Sequence, residues 1–91
     1  MPDDPTPHQP SFDAEGVEFN VNLSDETTHN KRPYRARCNI AFGYSSWYAD
    51  CVWVEDVLTG LMVDLDTLGA VKVIAIESQA LALAAQHRKN T

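Results

Sequence analysis

Basic residues are scarce in this chain of 91, which carries seven lysines and arginines against thirteen acids and a net charge of −6. A field of that sign repels phosphate over most of the surface, which weighs against direct nucleic-acid binding. Cysteine is scarcer still. Cys38 and Cys51 are too few for a disulfide framework or a four-ligand zinc site, and each sits among apolar neighbours, as reduced core cysteines do. No apolar run approaches the roughly 18 residues of a membrane span. The opening Met-Pro-Asp-Asp-Pro lacks the basic-then-apolar pattern of a secretory signal. The resulting expectations are no membrane association and a cytoplasmic location.

Motifs that carry chemistry are also missing. There is no glycine-rich phosphate loop, no His-Glu-x-x-His, no Cys-x-x-Cys and no nucleophile elbow. His8, His29 and His87 are scattered without ligand spacing and read as solvated side chains. No catalytic residue, metal ligand or cofactor is therefore assigned. A folded part of about 75 residues buries only roughly 60% of its unfolded surface. A deep substrate pocket would compete with the core for apolar side chains, which weighs against an enzyme.

What is present begins with a hydrophobic content of 44%, which places the chain in the ordinary globular class. Residues 1–14 hold four of the five prolines, with Phe12 as their one aromatic side chain. That composition predicts a flexible N-terminal tail, followed by a single small domain over residues 15–91. In residues 16–24, Val17, Phe19, Val21 and Leu23 alternate with Glu18, Asn20 and Asn22, the period of a half-buried strand. Residues 24–33 are polar and read as a loop. Residues 34–42 repeat the alternation, with Tyr34, Ala36, Cys38, Ile40 and Phe42 against Arg35, Arg37 and Asn39. Two such strands suggest an antiparallel pair, with Arg35 or Arg37 opposite Glu18. Residues 43–46 then form a turn.

Residues 47–68 fit two patterns. As a helix, Trp47, Cys51, Val54, Leu58, Leu61, Leu65 and Leu68 recur at spacings of four and three. Dense Val-Trp-Val and Leu-Met-Val content favours strands at 47–57 and 61–65, with Trp47, Ala49, Cys51 and Trp53 on one face. Residues 71–76 are apolar on both faces and read as a covered strand. The period changes at Glu77-Ser78, which would cap a helix over residues 79–89 with a narrow stripe of Leu81, Ala84 and Ala85. His87, Arg88 and Lys89 suit its negative end. The fold class expected is α+β, an antiparallel sheet of four to five strands with one C-terminal α-helix packed on it.

Charge distribution supplies the functional candidates. Residues 50–66 contain five acids and no lysine or arginine. Trp47, Tyr48 and Trp53 lie beside them. Aromatics flanked by acids suit a surface that clamps a basic protein partner, the rings supplying area and the acids steering. Trp53, Glu55, Asp56, Asp64 and Asp66 are the candidate partner-binding residues. The same tryptophans also suit a core.

Two local resemblances accompany these patterns. Residues 75–84, Ala-Ile-Glu-Ser-Gln-Ala-Leu-Ala-Leu-Ala, resemble the closing motif of an uncharacterised family of small bacterial domains. In that family a strand runs into Gly-Val-Asp-Ser-x-Gln-Ala-Leu and a helix, after a strand carrying Trp and Cys. Here Ala75 and Glu77 replace the glycine and aspartate, one residue is missing before Gln79, and Trp47 and Cys51 are spaced more widely. The resemblance implies no activity. Residues 59–68 are similar to the Thr-Gly-Met-Val-x-Asp-x-x-x-Leu segment of 6-pyruvoyl-tetrahydropterin synthases, without their zinc-binding histidines. That likeness implies a rival topology, with a helix from near Leu65 running through residues 71–76.

The sequence thus supports a small acidic binding protein, an inhibitor or immunity-type module for a basic protein partner. A small oligomeric enzyme of the pterin-synthase kind, with sites between subunits, is one alternative. A dimerising structural module, forming a homodimer, is the other.

Overall fold

A computed structural model describes residues 9–24 and 30–90. Residues 1–8 of the expected tail and 25–29 of the loop read at 24–33, with His8 and His29, lie outside the described residues, while Ser24 and residues 31–33 of that loop are strand. The described chain forms five strands in one antiparallel sheet whose spatial order is the chain order. They are β1 (Ser11–Phe12), β2 (Gly16–Ser24), β3 (Lys31–Gly43), β4 (Ser46–Asp56) and β5 (Leu61–Val63). Two helices follow, the single-turn α1 (Leu65–Leu68) and the long α2 (Ala70–Lys89). The architecture is α+β, an antiparallel sheet with a C-terminal helix laid on it.

Alternation in β2 and β3 builds the core. Val17 pairs with Cys38 and Phe19 with Ala36, and the row through Ala36 continues to Val54 and Val63. Side chains in register on a pleated sheet share a face, so these residues form one apolar layer. Val17, Phe19, Ala36, Cys38 and Val54 are all fully buried. α2 packs across this layer, against β2, β3 and β4, and contributes buried Ile76, Ala80 and Ala84.

The strand expected at residues 71–76 is instead the first part of α2, as the rival topology required. Gly69, at φ 99°, stands at its N-cap, so neither Glu77 nor Ser78 caps anything. Twenty residues of helix span about 30 Å, whereas the eleven expected would reach only about 16 Å across the sheet. Val71, Val73, Ile74 and Ile76 therefore yield their strand preference to the tertiary need to cover the apolar layer. The buried stripe runs through 76, 80 and 84 rather than through Leu81 and Ala85. His87, Arg88 and Lys89 do occupy the last turn.

The described part of the expected tail is built into the sheet. Phe12 pairs with Val17 and stacks on His87, ring centroids 3.9 Å apart. Asp13 closes the turn into β2 by accepting the N–H groups of Glu15 and Gly16, each at 2.9 Å. Arg37 then grips both Asp13 carboxylate oxygens, at 2.8 and 3.0 Å. The Arg37 bonds, then those two N–H groups, hold the Asp13 carboxyl far below its usual range. Folding lowers this pKa, so the contribution is complete above the unfolded value near 3.8 and is lost as pH falls below it. Asp13→Asn protein should accordingly be less stable than the parent above pH ~4 and converge with it in stronger acid, as read by unfolding titrations across pH.

Candidate interaction surface

The second face of the sheet is covered by no element among the described residues. Its composition follows from the register. One row runs Asn20, Arg35, Glu55, Met62 across four strands, and the next runs Ser11, Glu18, Arg37, Trp53. Asn39 and Asp50 form a third, and Ala41 with Tyr48 a fourth. Arg37 faces Glu18, 3.6 Å away, as expected for one of the two arginines. Arg35 instead donates to Asn20 Oδ1 at 2.8 Å.

Trp53 reaches this face because β4 is irregular. Cys38 pairs with Cys51 and Arg37 with Trp53, which leaves Val52 without a partner in the register. A β-bulge of this kind inserts one residue and inverts the facing of everything beyond it. Trp47, Ala49 and Cys51 stay on the helix side, as expected, while Trp53 is turned away from them and Val54 enters the core in its place. The expectation of one face for Trp47, Ala49, Cys51 and Trp53 is corrected at its last member. Tyr48 is 48% exposed, Val52 46% and Met62 65%, and Trp53 is half-buried among them.

The five sequence-derived candidates do not converge. Trp53 and Glu55 share the uncovered face. Asp56 lies on the helix side, 13% exposed, where Arg32 Nε donates to it at 2.9 Å and Leu58 N at 3.0 Å. Burial pushes its carboxyl up, but these bonds prevail and hold it below the ordinary range. Asp64 caps α1, accepting from Asp66 N and from the Thr67 hydroxyl at 3.4 and 3.3 Å. Strand β5 ends at Val63, one residue before it, rather than at Leu65. Asp66 is exposed in the first turn of α1. Two of the five acids of residues 50–66 therefore serve a strand end and a helix cap. Asp50 joins Glu55 beside Trp53, and Tyr48 and Met62 complete a patch that the run of acids did not mark.

Trp47 sits at the opposite end of the helix side. Its ring meets Phe42 edge-on at 5.1 Å and carries the Arg88 guanidinium at 4.0 Å. Among the described residues, no group of three or more His, Cys, Asp or Glu side chains could hold a metal ion, and no helix is long and apolar enough to cross a membrane. Compared with protein-family models, curated proteins and solved structures, the chain matches none.

Proposed function

We propose that this chain is a small acidic binding protein, an inhibitor or immunity-type module, whose uncovered sheet face occupies a basic surface of a protein partner. The position of Trp53 carries the reading. The bulge at Val52 takes an aromatic side chain away from the helix-covered core and sets it between Asp50 and Glu55 on the bare face. Half-buried aromatics at the centre of a patch are the residues that anchor protein interfaces, and flanking acids steer a cationic partner. The net charge of −6 acts in the same direction and makes association salt-dependent. Trp53 and Glu55 are retained from the sequence-derived set, with Tyr48, Asp50 and Met62 added. Asp56 and Asp64 are set aside because each already serves the fold.

The test is position-specific photocrosslinking in native lysate at low salt. A crosslinker replacing Tyr48 should capture one discrete protein, with capture suppressed at high salt. The same group replacing Ala82, on the outer face of α2, should not capture it. Absence of any adduct at position 48, or equal capture from position 82, would contradict the reading.

A second reading rests on α2. Between Lys72 and His87 its only charged residue is Glu77, which reaches inward to the sheet. The outer face presents Val71, Ile74, Ala75, Ala82 and Ala85 to solvent, and Ile74 is 60% exposed. A face without charge lets two copies of an acidic chain meet without opposing like charges, as a homodimerising module would. Adducts between copies formed from position 82 are its signature.

A further inference from the structure

Cys38 and Cys51 stand directly opposite each other on β3 and β4. The hairpin that joins these strands fixes their geometry. Its two loop residues, Tyr44 and Ser45, have φ of 50° and 67°, the backbone of a two-residue hairpin turn closed by a hydrogen-bonded Gly43–Ser46 pair. Antiparallel pairs alternate between hydrogen-bonded and non-hydrogen-bonded. Counting along the ladder from Gly43–Ser46 makes Cys38–Cys51 a non-hydrogen-bonded pair. Such pairs have Cα atoms about 4.5 Å apart and side chains close together, inside the span of roughly 4.4–6.8 Å that a disulfide bridges.

The ladder also explains an isolated polar contact. In a non-hydrogen-bonded pair the N–H of Cys51 points away from β3, toward the position of the next strand. β5 pairs with β4 only from Val54 to Asp56 and does not extend that far. Glu77 of α2 takes its place, accepting the Cys51 N–H at 3.0 Å. The carboxylate thus lies beside the thiol pair.

We propose that Cys38 and Cys51 form a reversible intrachain disulfide, making the β3–β4 ladder an oxidation site that responds to hydroperoxides. Cys51, partly exposed, is the sulfur that meets the oxidant, and fully buried Cys38 resolves the product. The Cys51 thiol donates to the Trp53 carbonyl oxygen, 4.0 Å from Sγ. The facing Cys38 thiol lowers the Cys51 pKa although burial, Glu77 and Asp50 oppose it, and Cys51 together with burial raises that of Cys38. The Cys51 thiolate attacks one oxygen of hydrogen peroxide, the O–O bond breaks, and hydroxide leaves to take up the thiol proton as water. The sulfenic acid so formed is attacked by the Cys38 sulfur. The S–O bond breaks, the S–S bond forms, and a second water leaves with the Cys38 proton. Two electrons pass from the sulfur pair to the peroxide, which becomes two waters. A dithiol reductant reverses the bond.

The test uses the full chain and hydrogen peroxide, with free thiols counted after denaturation and the intact mass recorded. The expected result is loss of both thiols together in a monomeric product two hydrogens lighter, with recovery of both on adding dithiothreitol. In Cys38→Ser protein, dimedone should trap a sulfenic acid at Cys51. In Cys51→Ser protein, Cys38 should remain unmodified at the same peroxide dose. Both thiols surviving in the parent, or Cys51 passing to sulfinic acid while Cys38 stays free, would overturn the proposal.

Discussion

Gly16→Ala is expected to destabilise the protein by about 3 kcal/mol, at the upper end of what overpacking costs. A Cβ at this position would overlap the carbonyl oxygen of Cys38 and lie 2.8 Å from the Cα of Asn39. Both obstacles are backbone, so no rotamer change relieves them. Gly16 is also the point where the first turn is fixed to β3. Glu15 accepts the Ile40 N–H at 2.9 Å, and Asp13 holds Arg37, three residues before Ile40 on β3. Prying the strands apart here would loosen β1, the turn and the buried Val17–Cys38 pair together. For a domain of this size the loss corresponds to roughly 12–24 °C in melting temperature. Gly60→Ala is the control. Gly60 has open space around it but a φ of 75°, so alanine there should cost only about 1 kcal/mol.

Ile76→Ala should cost about 2–5 kcal/mol, the range for a fully buried aliphatic residue whose site cannot collapse. Ile74→Ala should change stability by no more than about 0.5 kcal/mol, because Ile74 is largely exposed. The contrast separates the two structures that residues 71–76 could adopt. On a strand, Lys72, Ile74 and Ile76 share a face, and the two isoleucines would respond alike. On α2 they lie two residues apart and point to nearly opposite sides. Chemical denaturation of the two variants, with equal slopes against denaturant, reads the difference directly.

These two positions mark where the sequence was legible and where it was not. β2 and β3 could be read because one side of each faces water, so apolar and polar residues alternate strictly from Val17 to Leu23 and from Tyr34 to Ile40. The turn at 43–46 and the strand after it followed. Residues 71–76 carried no such signal. Their outer positions are apolar too, and a short apolar run fits a covered strand as well as a helix. What decides is the size of the layer to be covered, a property of the assembled sheet. The bulge at Val52 is equally invisible, since Cys51-Val52-Trp53-Val54 is an unbroken apolar run in which neither face is marked. Its effect is large, because it exchanges Trp53 for Val54 in the core. Of the candidate residues, Trp53 and Glu55 share the uncovered face, a placement that the run of acids alone could not give. Asp56 and Asp64 lie apart from that pair, and a count of acids along the chain cannot register that Arg32 and the N-terminus of α1 engage them.

The proposed interface is the uncovered face, with Trp53 as its proposed anchor. The most direct measurement is the affinity of Trp53→Ala protein for the partner captured through position 48, by calorimetry at fixed salt and with folding matched by circular dichroism. A loss of about 2 kcal/mol or more, roughly thirtyfold in Kd, is the expected result for a central aromatic anchor. Unchanged affinity in Trp53→Ala, alongside weakened binding in Val71→Ala on the outer face of α2, would place the interface on the helix and contradict the account.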